Sequence, residues 1–391
     1  MLGYPSRYVN LASARLRYGD RVDRLGQFLT KVDGPADLVV DAIEQLPKGE
    51  GWRLFEQGLR GGSAVIPGAP RAMRDLFDEV CEVPAWVDWS TCDRGGELLM
   101  RVGVLGGAVL GSRSLVLGYA SPGGNKPLVL SGRLQEQALR RLNETARFVQ
   151  AVSRPGGMRP FADGWQITLK VRLIHAQVRR MILKTGKWDG DAYGAPVNQH
   201  DMAGTTLLFS VAIIDGLRKL GVRIDSDEGE RYVHLWRWVG TVIGVDPELL
   251  PVSEPDAMRL ADLIEATMGP PDQDSRDLTK ALFDAAWDGA VTRKQRRDAA
   301  RKHLFGTTLC RELVGDEIAD ALRVPRNTFR FAMPMVRRLV SGVERFTRAV
   351  PFAERGAIVA GTHYWNRVVE IGLQGATYEF TLPSRLGPLA A

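Results

Sequence analysis

The chain has 391 residues, of which 45% are hydrophobic and 25% charged, with 42 glycines and 21 prolines. That composition belongs to a protein with a large buried core and excludes disordered and fibrous classes. Lys and Arg number 52 against 46 Asp and Glu, a net charge of +6, and so modest an excess, spread along the chain, excludes a dedicated nucleic-acid binder.

In chain order, the predicted elements are almost all helical, and no break in composition divides them. Met1 to Asp20 carries Arg7, Arg15 and Arg17 but no apolar run of the kind a secretory signal needs, so the chain as it stands is expected to be cytoplasmic. Asp33-Gly34-Pro35 opens an apolar-periodic helix through Leu38, Val39, Ala42, Ile43 and Leu46, ended by Pro47 and Gly49. Spacing and boundary residues predict further helices over 52–60, 70–82, 92–120, 131–153, 164–185, 200–221, 228–244, 254–269, 278–302, 307–323 and 328–348.

The most apolar stretch is Val102 to Ala120, yet Arg101 and Arg113 interrupt it before the roughly 20 apolar residues of a membrane span are reached. Its glycines at Gly103, Gly106, Gly107, Gly111 and Gly118 predict a buried helix closely approached by neighbours or by a ligand. Ser253-Glu254-Pro255-Asp256 is a helix start and Gly269-Pro270-Pro271 its stop. The basic run Arg293 to Lys302 reads as the solvated face of a helix. Only Thr377 to Leu382 alternates like a strand, with Tyr378, Phe380 and Leu382 on one side.

Common reactive motifs are missing. There is no phosphate loop, G-x-S-x-G elbow, H-E-x-x-H helix, Glu-x-x-His pair or C-x-x-C-H string, which removes the usual anchors of nucleotide binding, hydrolysis, di-iron chemistry and covalent haem. Cys81, Cys92 and Cys310 lack zinc-ribbon or redox spacing, so neither disulfides nor a zinc site is expected.

Five histidines remain: His175, His200, His234, His303 and His363. His175 stands in a predicted helix whose apolar stripe is Ile167, Val171, Ile174, Val178 and Ile182, while Arg172, His175 and Arg179 follow i, i+3, i+7 on another line. Two readings stay open on spacing alone. One is an ordinary helix with a hydrogen-bonded His and solvated arginines; the other is an imidazole for a porphyrin iron with guanidinium groups for its propionates. A second helix has Leu134, Ala138, Arg141, Thr145 and Phe148 at spacings of 4, 3, 4, 3, which puts Arg141 and Thr145 on an inward stripe. A charge there requires a partner, either a structural carboxylate or a group in a polar pocket.

Together these segments resemble a known family. Arg141-Leu142-Asn143-Glu144-Thr145, then Arg172-Leu173-Ile174-His175-Ala176-Gln177-Val178-Arg179, then Gly194-Ala195-Pro196-Val197-Asn198-Gln199-His200-Asp201 look like successive motifs of the latex clearing proteins. These belong to a wider group of haem-dependent oxygenases that includes fungal enzymes cleaving a farnesyl side chain. Pro84-Ala85-Trp86-Val87-Asp88 and His234-Leu235-Trp236-Arg237 fit the same pattern.

The resemblance covers about residues 75–350 and implies an all-α fold with a globin-like core and additional helices. It divides the chain into an N-terminal helical extension over 1–74, a haem-binding oxygenase domain over 75–350 and a C-terminal extension over 351–391 packed on the core. It also implies one non-covalent haem b and a dioxygenase that cleaves isoprenoid carbon–carbon double bonds with O2 to aldehydes or ketones. His175 would be the iron ligand, Arg172 and Arg179 would bind the cofactor, and Arg141, Glu144 and Thr145 would be catalytic on the distal side. Asn198 and Gln199 would order the following loop.

Some members carry lysine at the position of Glu144, where it can occupy the sixth iron position; a carboxylate speaks against that lysine-ligated state. The implied partners are a hydrophobic alkene and O2, without nucleic acid or a transmembrane segment, and with a monomer favoured. Secreted members have an export signal, so secretion of this protein would require a leader that this chain does not show. A haem monooxygenase, peroxygenase or oxidase of a small terpenoid or lipid, and a non-catalytic haem-binding protein, share the same iron site, and sequence does not separate them.

Overall fold

The computed structural model describes residues 3–130 and 138–373. Among them the chain is built from helices, with no strand, as the sequence leads one to expect. The predicted strand Thr377–Leu382 lies outside the described residues. The core is aromatic at its centre: Trp165, Tyr232, Trp236, Trp238, Trp365, Phe55 and Phe77 are fully buried. Where indoles are buried, two of them find backbone acceptors, Trp238 donating to Met158 O at 2.9 Å and Trp365 to Leu99 O at 3.2 Å.

Several helix boundaries differ from the predicted ones. The segment 92–120 is two helices, Trp89–Val102 and a second beginning at Val104, bent by 87° across Gly103. The bend is set by the close approach of Gly361 on the helix Pro351–Leu373, where a Cβ would stand 1.6 Å from Met100 O. Gly103 itself has φ +44°, a conformation that side chains disfavour. One turn of π-helix follows at Leu110–Ser114. No single helix among the described residues is long and apolar enough to cross a membrane.

Likewise 200–221 divides at Ser210 into Gln199–Phe209 and Val211–Lys219; apolar residues continue across the break because both pieces are buried, so periodicity does not reveal it. Arg293–Val314 runs unbroken through Gly306, and begins at a capping box in which Thr292 and Gln295 satisfy each other's backbone. The helices Leu11–Tyr18, Arg21–Gln27 and Pro351–Leu373 are additions to the predicted set.

The helix Asp163–Lys184 carries His175 and runs beside Gly34–Glu44. Ion pairs fix their register: Arg172 to Asp33 at 2.7 Å, Arg179 to Asp37 at 2.6 Å, Arg180 to Asp41, Arg180 to Glu44 at 2.7 Å and Lys184 to Glu44 at 2.9 Å. The basic line of one helix therefore lies on the acidic line of the other, which leaves the flank bearing Val171, Ile174 and Val178 to face inward.

Candidate functional site

That flank borders a cavity of about 380 Å³, within the size range of small-molecule and cofactor sites. Its other walls come from the Gly-rich segment (Ser114, Leu115, Gly118), from the helix Ala138–Ser153 (Glu144, Thr145, Phe148), from Gln199–Phe209 (Met202, Thr206, Phe209) and from Ser226–Val242 (Trp236, Val239). The lining is mainly apolar, with the polar groups confined to a few positions.

His175 is on the cavity wall. Its Nδ1 is fully buried and makes no hydrogen bond, although buried polar groups are normally paired. Burial, helped by the nearby Arg179 charge and opposed by Asp33, pushes the imidazole down to about 4. The ring is therefore neutral at physiological pH, the form in which it offers a lone pair to a metal. Among the described residues no three His, Cys, Asp or Glu side chains converge on a metal site. An iron held by His175 would thus need its remaining ligands from a macrocycle, and a mainly apolar, partly open cavity beside an imidazole with an unpaired Nδ1 fits one.

Glu144 and Thr145, predicted as distal groups, both line this cavity. Arg141 lies one turn earlier on the same helix, and its side chain lies outside the described residues. Arg172 and Arg179 require a correction. Neither lines the cavity: Arg172 is spent on Asp33 and Glu79, and Arg179 on Asp37 and the Val197 carbonyl at 2.9 Å. Each guanidinium already has carboxylate partners, so the pair positions the His175 helix instead of contacting a ligand. Gly244, at φ +88°, lets the loop after Ser226–Val242 approach this pair; a Cβ there would stand 2.3 Å from Asp33 Oδ2.

Asn198 and Gln199 order the neighbouring loop, as expected. Asn198 accepts from Asp201 N at 3.0 Å and donates to Ala195 O at 2.8 Å; Gln199 donates to Gly244 O at 2.9 Å and accepts from Asp246 N at 2.8 Å. The two outlying motifs also meet, with Asp88 N donating to His234 Nε2 at 3.2 Å and Arg237 lying 3.9 Å over the Trp86 ring. They stand away from the cavity and brace its Trp236 helix from behind.

Sequence reasoning missed the Asp201 end of the cavity. Asp201 lines the wall and receives Arg7 through two 2.8 Å hydrogen bonds, with His200 Nδ1 at 3.3 Å. Burial alone would raise its pKa, but the Arg7 charge and the His200 contact outweigh this and hold it below the usual range. The Arg7 partner is 194 residues distant, and no local spacing announces it.

A helical body with a mainly apolar cavity between a His-bearing helix and a Glu-Thr-bearing helix is the class these observations define. Residues 100–345 match the model of the catalytic domain of the ER-bound oxygenase mpaB/B′ and rubber oxygenase, and the chain belongs to that family. The rubber oxygenase of Streptomyces sp. (strain K30) is 24% identical over 202 residues, 51% of this chain and 49% of that protein. The chain thus matches about half the length of that curated relative. Latex clearing protein in its closed state superimposes with a TM-score of 0.68 at 18% identity, over 87% of this chain and 90% of the other, which establishes the shared all-helical fold.

Proposed function

We propose that the protein is a haem b-dependent dioxygenase that cleaves carbon–carbon double bonds of an isoprenoid with O2, giving aldehyde or ketone products. The observation that carries this reading is the His175 imidazole, neutral and with its Nδ1 buried and unpaired, on the wall of a mainly apolar cavity that also presents Glu144 and Thr145. Family membership supports the oxygenase class, and the rubber oxygenase relative supports a polyisoprene-like substrate.

His175 would hold the haem, which when bound supplies the activation of dioxygen. The protein supplies the remaining parts. Val171, Ile174 and Val178, beside His175 on its own helix, would pack on the ligand side of the haem, while Phe148 and Trp236, on other walls, enclose the alkene and exclude water from the reacting carbons. Thr145 offers a hydroxyl donor on the same wall, and Arg141, one turn earlier, is the cationic residue of this distal set. The Glu144 carboxylate takes an allylic proton from the substrate, holds it at its oxygen and returns it before release, so that both carbonyl products keep all the hydrogens of the alkene. Arg172 and Arg179 set the height of His175 through Asp33 and Asp37.

The reading is tested with haem-loaded protein incubated under ¹⁸O2 with isoprenoids of graded length, followed by mass analysis. The expected products are paired carbonyl fragments, one labelled oxygen on each side of the broken bond. Turnover that requires peroxide and leaves the carbon skeleton intact contradicts it.

A further inference from the structure

The helix Met333–Ala349 has its apolar residues on the wrong side for a core element. Met335, Leu339, Val343 and Phe346 are 60–65% exposed, and Phe331, just before the helix, is 76% exposed. Their spacing of 4, 4, 4 and 3 makes one continuous stripe. Its opposite face is anchored inward, where Glu344 binds Arg101 at 2.6 Å and Met333 is buried. The helix is therefore docked, and the stripe is what docking leaves outward. Monomeric proteins rarely expose apolar residues in such a row.

On the helix itself the exposed charges beside the stripe are all of one sign. Arg338 and Arg345, seven residues apart, run along one edge of it, with Arg330 at its start and Arg355 just beyond its end. None of the four has an ion-pair partner among the described residues, whereas Arg337 and Arg348, on the inner side, are paired with Glu312 and Glu228. From Arg323 to Ile371 the chain has nine Arg and Lys against three Asp and Glu. That excess equals the +6 of the whole chain, so the charge that looked dispersed along the sequence is balanced everywhere else.

We propose that this face seats the protein on an anionic lipid bilayer, with the stripe in the acyl boundary and Arg330, Arg338, Arg345 and Arg355 at the headgroups. An apolar stripe bordered by unpaired arginines is the pattern of a helix lying in a membrane interface, and basic residues there are drawn by anionic headgroups. A neutral hydrocarbon surface would engage the stripe but leave the arginines without partners, and a second copy of this face would set arginines against arginines. The proposal is independent of the chemistry at His175.

The test is sedimentation of the full chain with vesicles of phosphatidylcholine alone, with vesicles containing 30% phosphatidylglycerol, and with a neutral polyisoprene emulsion. Binding is expected to be about tenfold or more tighter on the anionic vesicles and to weaken at high salt. It should be lost in both Leu339→Asn/Phe346→Asn and Arg338→Glu/Arg345→Glu, whose exposed positions leave folding intact, as circular dichroism would check. No binding, equal binding to both vesicle types, binding to the emulsion alone, or stripe-dependent dimerisation seen by light scattering in place of vesicle binding would each overturn it.

Discussion

Arg172 and Asp33 form a buried two-point ion pair, at 2.7 and 3.0 Å, three residues before His175. The pair joins the N-terminal helix Gly34–Glu44 to the helix that carries the candidate iron ligand, and both side chains are only 3% exposed.

Breaking it should be costly. Asp33→Ala leaves a buried guanidinium with only the half-exposed Glu79 and is expected to destabilise the protein by about 3–5 kcal/mol. Lys184→Ala, at the exposed end of the same ladder, should cost about 1 kcal/mol or less. Urea denaturation of both variants checks the contrast, and equal losses would mean that the ladder carries its energy elsewhere.

Stability of the cofactor-free protein should depend on His175 under acid. Its folded pKa lies near 4, below the ordinary value of 6.5, so the unfolded chain binds the extra proton in between. The His175 contribution is complete above about pH 6.5 and is lost as pH falls towards 4, about 3 kcal/mol in total. His175→Gln should flatten that part of the pH profile. His200, also held low by burial, leaves a residual slope. Parallel wild-type and variant profiles would rule out a buried neutral His175.

Glu144→Gln removes the proton acceptor but keeps the shape of the side chain. With haem content unchanged, kcat on a competent alkene should fall by about 10²-fold or more. Unchanged turnover would take Glu144 out of the reaction and leave it as a wall residue.

Val178 faces the cavity one turn after His175. Val178→Phe should fill part of the 380 Å³ beside the iron ligand, weaken haem binding, and leave the thermal stability of the cofactor-free protein nearly unchanged because the new ring enters empty space. A large loss of stability with no change in haem affinity would place the cofactor elsewhere.

Much of this arrangement was legible in the sequence because it is periodic. The Ile167–Ile182 stripe announces the inward face of the His175 helix, and the Arg141–Thr145–Phe148 spacing announces the facing wall. What periodicity could not give was the partner of each charge. Arg172 and Arg179 look the same on a helical wheel whether they meet a ligand or Asp33 and Asp37, which are more than 130 residues away. Nor could it separate an inward stripe from an outward one. Met335, Leu339, Val343 and Phe346 have the spacing of a core face, and only the packing of Glu344 against Arg101 shows that the stripe points away.

The most direct test of the account is a haem titration followed by absorption. Purified protein titrated with haem b should develop a Soret band that saturates at one haem per chain, and His175→Ala should lose that band while retaining its helical circular dichroism. A saturating Soret band of the same position and affinity in His175→Ala, or none in the wild-type protein, would contradict the assignment of His175 as the iron ligand.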